Sequence, residues 1–496
     1  MRVLFVYCNS MQENALPVGI SQLIACTQQA GINVGLFDTT FYRWDKKSSM
    51  EIRMENLQFQ PCSVLYNENN VYDDFRNKIE EFSPDLIGFS LVEPTFHFGM
   101  KLLDSVKDLI EKKAIKVAVG GVHAIYAPQT FIDNPLIDFI CIGEGEESFV
   151  ELCNKMEKGL DLSDTRGFFI KNKKDFNRNP LLAPVNINSL PILDFTLFGE
   201  RFLQKPMMGR LYRTISLELT RGCPYQCTYC GNAYLTKMFS AHGRWYRLKS
   251  IEKIQNEYKE YIKKYNPEFI YKHSESFLAV DKKRLNSYME MYSEFNVPYW
   301  IETRPEDVTE EKAEMLARTN CKRISIGLES GNELYRKKVL KRNYTNDQVK
   351  NACAILRDKG ISFSLNLIIG FPDETRDMIF DGVKLLRDVK PDSISIFLFT
   401  PYRGCELRKV CEQRGLIDRD FIGGDYFQME YCLKNNTIGA KELLGLFRTI
   451  PLYVQMATKD FNRIKIAEQT DDAVGNKAFI ELRDEYYKIK KWVKAK

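Results

Sequence analysis

The chain has 496 residues, enough for two or three domains, and its 44% hydrophobic and 28% charged content is that of a globular protein. A net charge of +5 on scattered basic residues argues against a nucleic-acid-binding surface, and no run approaches the ~20 apolar residues that span a bilayer. Thirteen cysteines without the framework of a small secreted domain fit a reducing cytoplasm, and the apolar start at residues 1–7 reads as a strand, not a signal peptide.

Residues 1–158 alternate short apolar runs with helical patterns. Runs at 2–7, 34–37, 86–90, 117–120 and 139–142 predict strands. Helical patterns occupy 17–31, 99–113, 128–134 and 146–158. This alternation predicts a parallel, doubly wound, Rossmann-like (flavodoxin-like) α/β sheet. Ser90, Gly120, Gly121 and the run Gly143-Glu144-Gly145-Glu146 stand at strand ends. Ligands cross such sheets at the carboxyl ends of the strands, where small residues let backbone approach them, although glycines there equally make tight turns.

Residues 159–212 read as a linker, with a hairpin-like run at 167–170 and a Pro-Asp-aromatic segment at 190–195. Residues 213–404 repeat strand–helix units. Strands are predicted at 214–219, 269–272, 299–303, 323–327, 363–369 and 393–400. Helices are predicted at 250–265, 281–295, 309–319, 345–359 and 375–389. Six such strands predict a partial (β/α)6, TIM-like barrel, whose sites form at the carboxyl ends of its strands. Those ends offer Ser274, Glu275 and Ser276, then Glu302 and Arg304, then Glu329 and Asn366. A bound zwitterion needs such acceptors and cations; helix caps and solvated rims use the same residue types.

Just after the first of these strands comes Cys223-Pro224-Tyr225-Gln226-Cys227-Thr228-Tyr229-Cys230. Three thiolates at Cys-x3-Cys-x2-Cys spacing can hold three corners of a 4Fe–4S cube and leave one iron open, whereas a closed electron-transfer cluster takes four cysteines. Zinc would need a fourth ligand, and the nearest candidate, His242, has no supporting pattern. Residues 405–496 are helical in pattern: Leu443, Leu444, Phe447, Ile450 and Val454 share a helical face, and 479–492 is aromatic and basic. A packed helical cap is expected there, a membrane-surface helix being the alternative. Cys405, Cys411 and Cys432 lack cluster spacing and read as structural. No histidine pairs with a nucleophile-like neighbour, so nothing supports a hydrolase.

The cysteine loop, with Tyr229 before its third cysteine, resembles the radical S-adenosylmethionine (radical SAM) superfamily. The resemblance implies that Cys223, Cys227 and Cys230 bind a 4Fe–4S cluster whose open iron takes SAM, and that one electron cleaves SAM to a 5′-deoxyadenosyl radical. Ser274-Glu275-Ser276 falls where the superfamily has its amine-contacting segment, often Gly-Gly-Glu, from which this chain departs. Glu302-Thr303-Arg304 and Gly327-Leu328-Glu329-Ser330-Gly331 match forms in the cobalamin-associated branch, and Tyr229 and Asn366 complete the implied cofactor wall. Gly370-Phe371-Pro372-Asp373-Glu374-Thr375 matches a structural turn of that branch.

Pro17-x-Gly19-Ile20, Gly120-Gly121-Val122-His123-Ala124 and Gly143-Glu144-Gly145-Glu146 resemble a cobalamin-binding domain. The resemblance implies a cobalamin site at Ser90, Gly120, Gly121, His123, Gly143 and Glu144. Classical domains carry Asp-x-His-x-x-Gly after the first strand; here Cys8-Asn9-Ser10-Met11-Gln12-Glu13-Asn14 has no histidine, so none is expected on cobalt. His123 is expected as a loop residue near the ligand. The implied function is cobalamin-dependent methylation of an unactivated carbon, on a small-molecule or natural-product substrate, with a low-potential donor such as flavodoxin or ferredoxin. A cyclase or oxidoreductase without methyl transfer is the nearer alternative. A cobalamin-binding regulator is the farther one, and the cysteine loop argues against it.

Overall fold

The computed structural model describes residues 1–12, 16–44, 46–172, 175–207, 209–424, 430–434 and 436–492. The end of the 8–14 loop, Glu13 and Asn14, lies outside the described residues. The first sheet has parallel strands β1 (Arg2–Tyr7), β2 (Asn33–Asp38), β3 (Leu86–Ser90), β4 (Lys116–Gly120) and β5 (Phe139–Cys141) in the order β2-β1-β3-β4-β5. Two antiparallel strands, β6 (Phe168–Lys171) and β7 (Phe176–Arg178), extend it past β5, so the hairpin-like run at 167–170 joins this sheet. Val18–Gln29 and Gly145–Glu157 cover one face, and Val71–Phe82, Phe96–Asp104 and Lys107–Lys113 the other. The single helix expected over 99–113 is broken at Ser105, whose hydroxyl bonds back to the Leu102 carbonyl and offers the backbone an alternative to the ladder.

The second sheet contains β8 (Gln204–Met207) and β9 (Arg210–Glu218). Past β9 a small two-stranded ribbon, β10 (Thr220–Arg221) with β11 (Arg247–Leu248), leaves the sheet. The sheet resumes with β12 (Phe269–His273), β13 (Tyr299–Thr303), β14 (Cys321–Glu329), β15 (Ser362–Ile369) and β16 (Ser393–Leu398). Its order is β16-β15-β14-β13-β12-β9-β8, parallel except for β8, which is the partial barrel. The five predicted helix starts are visible as chemistry. Ser250, Asp281, Thr309, Thr345 and Thr375 are N-caps whose side chains accept the backbone N–H three residues on.

The barrel's open side is spanned by the insertion between β2 and β3. There Arg53 donates to Ser395 Oγ at 2.9 Å on β16, and Gln58 accepts from the Ile396 N–H at 2.9 Å. Across the gap, Gln60 packs on Gly209 in the β8–β9 turn. The C-terminal helices Ala440–Gln455, Phe461–Ala467 and Ala473–Lys490 pack outside the barrel, with Leu443, Phe447, Ile450, Phe479, Leu482, Tyr486 and Tyr487 buried. With its aromatics turned inward, the tail is a packed cap. No described helix is long and apolar enough to cross a membrane.

Candidate functional site

The cysteine loop leaves β10, just past β9, through Gly222. Its φ is +83°, and a Cβ there would stand 2.6 Å from Trp245 Cδ1, so only glycine turns the chain beneath that ring. Trp245 stacks on Phe239 and donates to Asn232 Oδ1 at 3.1 Å, which holds the helix Gly231–Phe239 under the loop. Thr228 Oγ1 donates to the Val339 carbonyl at 2.8 Å, and the Cys405 thiol to the Tyr229 carbonyl at 2.9 Å. Cys405 therefore braces the loop, in keeping with a structural cysteine.

Cys227 is buried and Cys223 and Cys230 are half-buried. Burial pushes the Cys223 thiol up to about 11 and the Cys230 thiol to about 12, the latter helped by the Glu275 carboxylate. They therefore keep their protons until a metal displaces them. Among the described residues no three His, Cys, Asp or Glu side chains gather around one point as ligands of a single ion do. A cube binds each thiolate to a different iron and needs no such convergence. Two guanidiniums meet Cys227: Arg304 Nη1 and Arg342 Nη1 each lie 3.7 Å from its Sγ. Asn232 Nδ2 lies 3.9 Å from Cys230 Sγ. Three thiols ringed by N–H donors, with two fixed cations to offset thiolate charge, fit a 4Fe–4S cluster.

The other predicted barrel residues divide by position. Glu275 is exposed beyond the end of β12, and its pKa is raised by the surrounding protein and then by the neighbouring Glu302. Glu329, at φ +63°, ends β14 with Arg342 at 3.4 Å; burial holds its pKa up as well. Asn366 is half-buried on β15 at the level of Gly327. These three, with Arg342 donating to Tyr229 Oη at 2.9 Å, surround the strand ends next to the cysteine loop. Glu302 lies deeper, on β13 itself, accepting from Tyr271 Oη at 2.8 Å. Ser274 and Ser276 are buried and bonded to Thr220 Oγ1 and Asp307 Oδ2, at 2.9 Å each. Arg304 is also committed: beside Cys227 it pairs with Glu306 and stacks 3.7 Å over the Tyr225 ring.

On the first sheet, the strand ends after β3 and β4 form a ledge. Val92 and Val122 are each 40% exposed there. A Cβ on Gly120 would meet nothing nearer than Cys141 Cβ at 3.4 Å, and one on Gly143 nothing nearer than Leu181 Cδ2 at 3.5 Å. An open, partly apolar ledge beside half-buried Ser90 fits the broad face of a corrin. Two sequence expectations change. His123 is fully buried between Phe96 and Phe131, with Nε2 3.2 Å from Thr130 Oγ1 and its pKa lowered by burial to about 4. It is core, not ledge. Glu144 is a bolt: it accepts from Arg221 at 2.8 Å, Arg247 at 2.9 Å and the Val185 N–H at 2.7 Å.

The sequence reading missed the remaining bolts. Glu93, after β3, accepts from the Arg403 and Gly423 N–H groups at 2.7 and 2.8 Å, with Arg408 at 3.5 Å. The Tyr126 hydroxyl, after β4, lies against Gly231 and its ring against Gly404, where no side chain would fit. Arg221 also bonds Glu146 at 2.7 Å and Glu218 at 3.1 Å. The ends of β3, β4 and β5 are thus each fastened to the barrel around the cysteine loop. Of these residues only Arg221, directly before Gly222-Cys223, carried any local signal.

Residues 217–410 match the radical SAM superfamily, and residues 6–153 match the B12-binding domain. An uncharacterized methyltransferase of Pyrococcus horikoshii is 24% identical over 344 residues, spanning 68% of this chain and 72% of that protein. Anaerobic magnesium-protoporphyrin IX monomethyl ester cyclase of Rubrivivax gelatinosus is 24% identical over 339 residues, spanning 66% of this chain but only 59% of the cyclase. The structure of the cobalamin-dependent S-adenosylmethionine radical enzyme OxsB, with aqua-cobalamin and S-adenosylmethionine bound, superposes at a TM-score of 0.67. Its identity is 16%, over 99% of this chain and 71% of that one, a likeness of fold.

Proposed function

The chain belongs to the radical SAM superfamily and carries a B12-binding domain ahead of its barrel, and from that premise we propose that it methylates an unactivated carbon. One observation carries the reading: the ledge of the first sheet is bolted by Glu93, Tyr126 and Glu144 around the very loop that bears Cys223, Cys227 and Cys230. When bound, the cluster supplies the electron that cleaves SAM to a 5′-deoxyadenosyl radical, and cobalamin supplies a methyl carrier.

The chain's own residues do the rest. The three cysteines hold the cluster; Arg304 and Arg342 donate to Cys227. Glu275, Glu329 and Asn366 line the wall suited to the amine, the ribose hydroxyls and the adenine edge of SAM, with Tyr229 behind them. Ser274, Ser276 and Glu302 support that wall from below. Ser90, Gly120, Gly121 and Gly143 shape the cobalamin ledge. The Arg53–Gln60 segment and the C-terminal cap close the barrel against water. The first sheet runs on through β7 and the second begins at β8, which narrows the linker between ledge domain and barrel to about residues 179–203, with the barrel ending near residue 404 and the cap beyond it. A cytoplasmic enzyme of this kind draws its electron from a flavodoxin or ferredoxin and acts on a small molecule.

The test is turnover under anaerobic conditions with labelled SAM. The product should gain one labelled methyl, with 5′-deoxyadenosine and S-adenosylhomocysteine in similar amounts, because one SAM makes the radical and another recharges the carrier. A product without added carbon and without S-adenosylhomocysteine selects the cyclase reading, which the similarity to the Rubrivivax cyclase keeps in view.

Arg342 gives a second test. Replacing it by Gln removes a buried positive charge and an N–H from Cys227 Sγ while keeping a polar group there. Less positive surroundings disfavour the added electron. The cluster's midpoint should fall by on the order of 60 mV, the equivalent of a tenfold change for one electron. An EPR-monitored redox titration reads this; an unmoved midpoint would show that the contact does not tune the cluster.

A further inference from the structure

One side chain of the first domain enters the cluster site. After β4 the backbone turns at Gly121 and runs through the short helix Val122–Tyr126, whose last residue leaves the ledge for the barrel. The Tyr126 ring meets Tyr234 edge to face, with centroids 5.5 Å apart, and a Cβ on Gly404 would stand 2.7 Å from its Cδ1. The Tyr126 hydroxyl lies 2.1 Å from where Gly231, directly after Cys230, would carry a Cβ. Glycines at 231 and 404 therefore open the slot that this one side chain fills.

A phenylalanine ring would fill that slot as well, so the hydroxyl needs its own account. It makes no hydrogen bond to any described residue, and Tyr126 is only half-buried. Burial first, and then the fields of Cys230, Cys405 and Glu275, hold its pKa above the ordinary phenol value. It keeps its proton and is a donor. Its polar neighbours are occupied. The Cys405 thiol is spent on the Tyr229 carbonyl, Asn232 Oδ1 accepts from Trp245 Nε1 at 3.1 Å, and Asn232 Nδ2 faces Cys230 Sγ. A donor withdrawn from water without an acceptor costs free energy until a ligand supplies one.

The ligand chemistry of this corner follows from Glu275. It is exposed at the end of β12, it is the acid assigned above to the amine of SAM, and its field reaches the Tyr126 hydroxyl. The amino-acid end of SAM is a zwitterion whose ammonium and carboxylate share one carbon. A carboxylate on that carbon comes to lie beside the acid that holds the ammonium, and it needs a donor there. The two guanidiniums of the cysteine loop are already held, Arg304 by Cys227 and Glu306 and Arg342 by Cys227 and Glu329.

We propose that the Tyr126 hydroxyl donates to the carboxylate of SAM, so that the B12-binding domain contributes a residue to the SAM site of the barrel. The inference rests on the enzyme reading above, with Glu275 at the amine, and adds to it a contact from the other domain. The SAM site is then complete only while the two domains are docked, and the slot between Gly231 and Gly404 sets their register.

The test compares two thioethers: S-adenosylhomocysteine, which keeps the amino-acid end, and 5′-methylthioadenosine, which lacks it. Each is titrated by anaerobic calorimetry into full-length, cluster-loaded protein. Tyr126→Phe should bind S-adenosylhomocysteine about tenfold more weakly, as loss of one hydrogen bond to a charged group does. It should bind 5′-methylthioadenosine as the wild type does. Iron content and the urea midpoint should stay at wild-type values, because the ring still fills the slot. Unchanged affinity for S-adenosylhomocysteine, or an equal loss for both ligands, overturns the contact. A Tyr126→Phe protein without its cluster overturns it too, because the hydroxyl would then be holding the loop. A cluster midpoint displaced without ligand, with S-adenosylhomocysteine affinity kept, would put the hydroxyl on a cluster sulfide instead. Iron, sulfide and SAM cleavage of the wild type are scored separately. Wild-type protein that takes up no cluster defeats the enzyme reading, whereas a loaded wild type matched by Tyr126→Phe defeats only this contact.

Discussion

Cys227→Ala protein, reconstituted anaerobically, is expected to contain iron and sulfide only at background and to produce no 5′-deoxyadenosine. Two thiolates cannot hold a cube that requires three, and no other described cysteine stands ready to substitute. Cys405, the nearest in contact, spends its thiol on the Tyr229 carbonyl and is buried behind the loop. The loss has a second component. Arg304 and Arg342 are 6% and 5% exposed and both point at Cys227 Sγ. Alanine leaves two guanidiniums facing a gap, and removing the partner of a buried charge-assisted contact costs about 1–3 kcal/mol or more. Cys227→Ser restores an acceptor for the two arginines, so it should recover stability in urea while still lacking the cluster. Cys405→Ala should keep the cluster. A Cys227→Ala protein that retains iron and cleaves SAM would remove the basis of the site assignment.

The sequence made the two sheets legible because each depends on local pattern. The barrel helices start where a Ser, Thr or Asp precedes an amphipathic run, and the N-caps at Ser250, Asp281, Thr309, Thr345 and Thr375 bear this out. The cysteine loop was legible because its spacing is itself the chemistry. What joins the domains was not. Arg342 lies 115 residues from Cys227, Tyr126 more than a hundred from Gly231, and Glu93 more than three hundred from Arg403; no periodicity links them. Glu144 misled because an acid beside glycines at a strand end looks the same whether it faces a ligand or two arginines. His123 misled because a one-residue change in helix phase decides between ledge and core, and the sequence around it does not fix that phase.

Gly121→Val is expected to cost the ledge itself, not merely to crowd a ligand. Gly121 sits at φ +90°, where a β-branched residue is strained by roughly 1–2 kcal/mol. Its Cβ would lie 2.4 Å from the Leu91 carbonyl oxygen and 2.8 Å from the Leu91 nitrogen. Those atoms cannot step aside. The Leu91 N–H donates to the Gly120 carbonyl at 2.9 Å, and the Leu91 carbonyl accepts from the His123 N–H at 3.3 Å. Overpacking of that kind adds about 1–3 kcal/mol. The variant should therefore unfold at lower urea and lose cobalamin binding, while the cysteine loop, carried by the other sheet, still takes up iron. Gly120→Val is the discriminating partner. Its first added atom would meet only Cys141 Cβ at 3.4 Å, so the strand end should hold its shape. If cobalamin is lost from Gly120→Val with the urea midpoint unchanged, the ledge contacts the corrin directly. If both variants bind hydroxocobalamin as the wild type does, the ligand lies elsewhere, and the methylase reading loses its carrier.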